Sequence, residues 1–296
     1  MVFWRRWLKK PFLAFLSMMM SVLILGAVFC LYIESSLPDV SLLKDVHLQV
    51  PLRIYSRDGK LMAVYGAKRR MPVQFNQIPK QLVDAVLAVE DARYYQHPGV
   101  DFIGIVRAAR AVILSGRKVQ GASTITMQVA RNFFLTRKKT YSRKIREVLL
   151  ALKIDRELSK DKVLELYLNK VYFGTRAYGV KAAAQAYYGK NLNQLTLAQM
   201  AMLAGLPQAP SRNNPISNPK GAIKRRNHVL NRMAEVGFIS KQECQQAISS
   251  PVTASYHGEN IEFKAPYITE LVRQILFSDY GNRAYESGFR VVTTVD

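Results

Sequence analysis

Three short stretches hold most of the side chains that could do chemistry. In Glu90-Asp91-Ala92-Arg93-Tyr94-Tyr95-Gln96-His97-Pro98-Gly99 an amphipathic helix ends on a carboxylate pair, followed by two tyrosines and an imidazole at a Pro-Gly turn. A carboxylate presented at a helix end can serve as a general base; the plainer alternative is that Glu90 and Asp91 are solvated and pair with Arg93. The second stretch, Gly121-Ala-Ser-Thr-Ile-Thr-Met-Gln-Val-Ala-Arg-Asn132, is a glycine- and hydroxyl-rich start to a helix, where free amides and hydroxyls could receive phosphate. Its alternative is an ordinary N-cap by Ser123 or Thr124, which leaves Ser123, Gln128 and Asn132 as incidental.

The third stretch, Lys138-Lys-Thr-Tyr-Ser-Arg-Lys-Ile-Arg-Glu147, puts Arg143 and Lys144 four and three residues before Glu147, on one helical face. A surface ion pair of this kind is worth only about 0.3–0.5 kcal/mol. A cationic site for a pyrophosphate fits the pattern at least as well. Taken together, the stretches supply two glutamates, hydroxyls and a basic patch, the set that glycosyl transfer from a pyrophosphate-activated sugar requires.

The whole chain supports an anionic partner. Its 296 residues carry 43 Lys and Arg against 21 Asp and Glu, a formal charge of +22, which points to nucleic acid, acidic lipid or phosphate. Only two cysteines are present, Cys30 in an apolar run and Cys244 in a polar helix, so both thiols are expected free and no cysteine-based metal site is expected.

The elements that position these groups begin with a membrane segment. No charge interrupts residues 11–33, long enough to span about 30 Å of hydrocarbon, and no small-residue cleavage site follows, so an uncleaved anchor is expected rather than a signal peptide. Arg5, Arg6, Lys9 and Lys10 precede it while Glu34, Asp39 and Asp45 follow, which places the N-terminus in the cytoplasm. The remainder then faces outward, where nucleic acid is not the usual partner and no nucleotide pool exists. Phosphate-bearing lipid becomes the preferred anion, and the substrate must arrive already activated.

Beyond a stem, Leu52–Ser56 and Leu61–Tyr65 flank Asp58-Gly59 as a strand-turn-strand. From about residue 80 the apolar spacing is helical. Thr196 with Gln199 and Ser240 with Glu243 fit capping boxes, and Gly237 suits a left-handed helix end. The chain turns irregular after Pro251 and finishes on a strand at residues 289–295 with nothing to pair with, which suggests a cut inside a longer protein. The organisation expected is a cytoplasmic tail (1–10), a transmembrane helix (11–33), a stem and β-hairpin (34–70), a mainly α catalytic domain (71–250) and the start of a linker or further domain (251–296).

The series EDARYYQHPG, GASTITMQVARN, RKIRE, KVLELYLNKVYFG and RRNHVL, in this order, resembles the five motifs of the peptidoglycan glycosyltransferase family of class A penicillin-binding proteins. The match covers roughly residues 50 to 250. The resemblance implies a mainly α, lysozyme-like body with a membrane-associated jaw. It also implies polymerisation of lipid II into β(1→4)-linked strands, with inversion at the anomeric carbon. Glu90 would be the general base. Glu147 would support the pyrophosphate site, by orienting basic residues or by holding a divalent ion such as magnesium.

Within the same resemblance Arg131, Lys139, Arg143 and Lys144 neutralise the leaving undecaprenyl pyrophosphate, Ser123, Thr124, Gln128 and Asn132 line the substrate, and Asp91 and His97 support the first glutamate's loop. Glu165, Tyr167 and Asn169 would brace the site, with Arg225 and Arg226 facing solvent or phosphate. Two positions depart from the pattern: Met127 stands where a glutamine is usual, and Arg131 where lysine is common. Residues 102–118, FIGIVRAARAVILSGRK, could form part of the jaw, with Arg107, Arg110, Arg117 and Lys118 at headgroups; an internal helix is the competing reading.

Class A proteins continue into a penicillin-binding DD-transpeptidase. The Ser-x-x-Lys matches at Ser115, Ser159 and Ser217 lack its companion motifs, so that activity is expected of the full-length protein and not of this stretch. The partners expected are lipid II, the growing lipid-linked strand, membrane lipids and other wall-synthesis proteins. The location expected is a bacterial inner membrane, with the catalytic domain in the periplasm. A muramidase-like hydrolase and a non-catalytic membrane scaffold are the rival readings; the basic patch around Glu147 argues against the hydrolase, since cleaving a neutral glycan needs no pyrophosphate site.

Overall fold

A long helix, α1 (Phe3–Ser35), leads the chain in the computed structural model, which describes residues 3–46, 48–66, 68–116, 123–136, 138, 140–258 and 261–296. Its apolar stretch Ala14–Ser35 has the length and composition to cross a bilayer, and among its described side chains none is buried before Ile33. The hairpin follows as β1 (Leu52–Tyr55) and β2 (Leu61–Tyr65), antiparallel, with Leu52 opposite Tyr65. Gly59, at φ +84°, makes the turn that the Asp-Gly pair signals. A short strand, β3 (Arg69–Arg70), leads to α2 (Lys80–Glu90), α3 (Phe102–Ser115), α4 (Ile125–Phe134), α5 (Tyr141–Glu157) and α6 (Lys160–Lys170).

After α6 come β4 (Tyr172–Gly174) and β5 (Ala177–Tyr178), then α7 (Val180–Tyr188), α8 (Leu197–Gly205), α9 (Pro219–Glu235), α10 (Lys241–Ser249), α11 (Pro266–Tyr280) and β6 (Arg290–Val292). The expected mainly α body is the one observed. Both capping boxes are formed, at Thr196 and Ser240, and Gly237 has φ +79° two residues after α9 ends.

The main core is built on α8, whose sequence LAQMAMLAG is apolar nearly all round and is accordingly enclosed on every side. It packs on α2 and α9, while α4 packs on α5 and α6. This leaves α2 with one end free to present its last residue where α4 passes. A second small core forms where Leu52, Ile54 and Met62 of the hairpin meet Ile268, Val272 and Leu276 of α11.

Two strand pairings differ from the expectation. The terminal strand β6 is not partnerless: it pairs in parallel with β1, Ile54 against Val291, because β1 has a free edge opposite β2. The order β3-β5-β4 makes a further small sheet joining Arg69–Arg70 to the chain after α6. Such two- and three-residue strands have no periodicity to read; the pairing is set by tertiary contact.

The competing reading of α3 as an internal helix is also overturned. Only Gly104 and Ala108 are buried, while Ile103, Val106, Ile113 and Leu114 are each at least 68% exposed. An apolar face this large standing in water marks a membrane or partner surface. Arg117 and Lys118 lie outside the described residues. Cys244 is a buried free thiol, and burial raises its pKa.

Candidate active site

Glu90 is the last residue of α2, and the chain turns away immediately because Asp91 leaves helical geometry at φ −162°. The loop after it is fixed at several points. Asp91 is buried; its Oδ1 lies 2.9 Å from His97 Nε2, and its Oδ2 accepts from the amide of Ile125 at 3.1 Å. Tyr94 donates to the carbonyl of Lys160, and Lys160 returns a bond of 2.6 Å to the carbonyl of His97 while lying over the Tyr94 ring. Gly99, at φ +74°, comes so close to α5 that a Cβ there would sit 2.5 Å from the Ala151 carbonyl. The loop is thus pinned to α4, α5 and α6, and Glu90 is held by a rigid frame.

Glu90 itself is half-buried. Its Oε2 accepts from the side-chain amide of Gln128 at 2.7 Å, while Oε1 has no hydrogen-bond partner among the described residues. The free oxygen is what a proton acceptor needs. Two further groups lie within electrostatic range. Tyr167 is fully enclosed with an unpartnered hydroxyl; burial first, and then the charge of Glu90, hold its pKa well above the ordinary phenol value. Arg225, on α9, is half-buried, and burial lowers its pKa against the opposing pull of Glu90.

The second carboxylate has a different environment. Glu147 is 1% exposed; Arg143 Nη1 and Lys144 Nζ each donate to one of its oxygens at 2.7 Å. Lys144 also donates to Ser123 Oγ at 2.8 Å. This is not the weak surface pair that the spacing alone allows, because one partner is buried and held from two sides. Helix α4 joins the two centres: Gln128 touches Glu90, and Ser123, just ahead of the helix, touches the Glu147 cluster.

Burial and hydrogen bonding decide what these side chains can meet. Thr124 caps α4 by accepting from the Met127 amide and donates to the Gly99 carbonyl at 2.6 Å, so its hydroxyl is used by the fold. Asp91 and His97 bond to each other out of solvent and hold the loop that follows Glu90. Ser123, Gln128 and Arg131 remain accessible in part and Asn132 is exposed, one turn beyond Gln128 on the same face. Lys139 lies outside the described residues. Met127 points into a small core with Val100 and Ala151, so the missing glutamine removes no hydrogen bond from the cleft.

Arg226, unlike the half-buried Arg225, does not face solvent. Arg226 is 3% exposed and donates to the carbonyls of Ile248 and Ser250 at the end of α10, a structural tie. Its place was visible in the spacing of Ala222, Arg226, Val229, Leu230 and Met233, one buried stripe. Glu165 and Asn169 brace residues 73–75, Glu165 accepting from the Phe75 amide and Asn169 bonding both backbone groups of Val73.

A magnesium ion on Glu147 does not fit these residues. Both carboxylate oxygens are taken by cations, and among the described residues no three potential ligands gather.

A carboxylate with one oxygen left without a partner among the described residues, near a caged pair of cations, suits glycosyl transfer with an anionic leaving group. A transglycosylase family model matches residues 58–234. The chain belongs to the transglycosylase family. This transglycosylase is 54% identical to penicillin-binding protein 1A of Escherichia coli, over 91% of the chain and 32% of that protein, and 51% identical to penicillin-binding protein 1A of Pseudomonas aeruginosa, over 90% and 32%. It also aligns with the crystal structure of penicillin-binding protein 1A from Haemophilus influenzae at 36% identity and a TM-score of 0.49, covering 85% of this chain and 28% of that one. The chain therefore spans 32% of the length of the first two relatives. The match places a transglycosylase domain behind an N-terminal helix that has the length and composition to cross a membrane.

Proposed function

We propose that the domain polymerises lipid II into β(1→4)-linked glycan by one in-line displacement. Glu90 Oε1 takes the proton of the acceptor's 4-hydroxyl as that oxygen attacks the donor's anomeric carbon. The bond from that carbon to the diphosphate breaks, and the electron pair leaves with the phosphate oxygen. With no covalent intermediate the anomeric centre inverts. Arg143 and Lys144 meet the departing charge, supported by Arg131. Glu147 holds the two cations at fixed positions while leaving the trio a net positive charge, so it is a positioning residue. Preorganised charge of this kind is effective because it needs no rearrangement during the reaction.

The observation that carries this reading is the asymmetry of the two glutamates. Glu90 keeps one unpartnered oxygen, while Glu147 has both oxygens engaged by cations. The proton transfer and bond exchange use protein groups alone; the divalent ion implied by the resemblance is proposed to travel on the substrate's diphosphate. The exposed apolar face of α3 sits in the outer leaflet beside the anchor, with the N-terminus cytoplasmic and the catalytic domain in the periplasm of an inner membrane. The whole protein is proposed to act also as a DD-transpeptidase, after the names of its relatives.

Incubating the protein with lipid II in detergent, with and without chelator, tests the reaction. Polymer is the expected product. Cleavage fragments from added glycan would establish a muramidase-like hydrolase instead, and no change in either substrate would leave a scaffold.

A further inference from the structure

A second set of cations lies at the other end of α4 and has no role in the scheme above. Lys170 Nζ stands 4.4 Å from the centre of the Phe133 ring. Arg70 Cζ and Lys68 Nζ lie 5.4 and 5.7 Å from the centre of the Tyr178 ring. Among the described residues none of the three has a carboxylate at ion-pair distance. Lys68 donates to Gln49 Oε1 and Arg70 to the Gln49 carbonyl, both neutral acceptors. Arg70 is 3% exposed, and its Nε is buried without a partner.

Like charges gathered without an anion repel one another. Lys170 records this: burial lowers its pKa first, and the charges of Arg70 and Lys68 lower it further. The fold gains no ion pair from the arrangement, so a group from outside is the natural partner. Lys170 follows Tyr167 by three residues on α6, which puts it on the side of the helix that Glu90 approaches. Ser123, which bonds Lys144, lies two residues ahead of α4, and from Ile125 to Phe133, beneath Lys170, the helix advances a further distance of about 12 Å. One diphosphate cannot reach both clusters. Beside the cations Tyr172 and Tyr178 lie together, ring centres 4.8 Å apart, with Tyr172 38% exposed. An aromatic face next to fixed cations suits a sugar that carries an acidic substituent.

We propose that Lys170, Arg70 and Lys68 form a second oxyanion site, which receives a carboxylate of the peptide borne by the substrate's sugar. The site chemistry, an oxyanion, is shared with the diphosphate of a second lipid-linked molecule, and the assay separates the two. This rests on the glycosyltransferase reading for the identity of its ligand.

The test measures binding of lipid II in detergent micelles to the Glu90→Gln protein, with and without Lys170→Met, and KM and kcat for Lys170→Met with Glu90 intact. Loss of one charge-assisted contact should weaken binding and raise KM about tenfold, with kcat and the thermal midpoint held. Lipid II with amidated peptide carboxylates should bind the parent about tenfold more weakly and be indifferent to Lys170→Met. A tenfold effect of Lys170→Met that persists on the amidated substrate assigns the site to diphosphate and overturns the peptide assignment. Unchanged binding of both substrates to Lys170→Met and to Lys68→Met overturns the site altogether. Absence of polymer from the parent protein would refute the reaction without touching these binding differences, so the two failures are distinguishable.

Discussion

Replacing Glu147 by glutamine should cost both stability and turnover, by amounts that follow from its burial. Its carboxylate is 1% exposed and receives Arg143 and Lys144, whose side chains are 18% and 42% exposed. The Arg143 contact is a well-enclosed charge-assisted hydrogen bond, worth about 1.5–3 kcal/mol. Water screens Lys144, so its contact contributes no more than about 1 kcal/mol. The glutamine oxygen keeps one acceptor and recovers a fraction of this, leaving a net loss of about 2–3 kcal/mol. In a domain of this size that corresponds to a fall in thermal midpoint on the order of 5–10 °C. Freed from Glu147, the two cations no longer share a fixed geometry, and turnover should fall more than tenfold with a smaller change in KM. Scanning calorimetry of the detergent-solubilised protein, paired with a continuous polymerisation assay, reads both. A midpoint within about 2 °C of the parent would refute the buried trio.

Arg226→Ala should destabilise the domain by about 3 kcal/mol, because the carbonyls of Ile248 and Ser250 each lose a buried donor; chemical denaturation checks it. Ile103→Asn with Val106→Asn should reduce binding of the catalytic domain to vesicles without lowering its thermal midpoint, since both residues are 68% exposed; a lowered midpoint with unchanged binding would restore the internal helix. Glu270 accepts from Arg273 and Gln274, which bring its carboxyl from 4.5 to about 2. As the folded value is the lower one, its contribution is full above pH 4.5 and is lost as pH falls through about 2; a carbon NMR titration of that side chain should give a midpoint near pH 2.

Much of this was legible in the sequence because it depends on local chemistry. The hairpin turn at Asp58-Gly59, the capping boxes at Thr196 and Ser240 and the end of α2 at Glu90 are each set by residues within a few positions of one another. So is the Arg143, Lys144 and Glu147 constellation. What the sequence withheld is which neighbour each polar group meets. Gln128 reaching Glu90, Arg225 approaching it from α9 and β6 joining β1 all bring together residues far apart in the chain. Thr124 illustrates the same limit from the other side: a hydroxyl in a phosphate-like setting turns out to be consumed by an N-cap and by the Gly99 carbonyl. Arg226 could have been found, since its place in an apolar stripe gives it away; the fate of Arg225, one residue earlier, could not.

The central claim is that Glu90 supplies the base, and Glu90→Gln tests it most directly. Gln128 can still bond the substituted side chain through its own amide, so fold and substrate binding should persist. Lipid II affinity should stay within about twofold, and polymerisation should fall by about 100-fold or more, the usual scale of general-base catalysis. A Glu90→Gln protein that binds lipid II and extends it at the parent rate would contradict the mechanism outright.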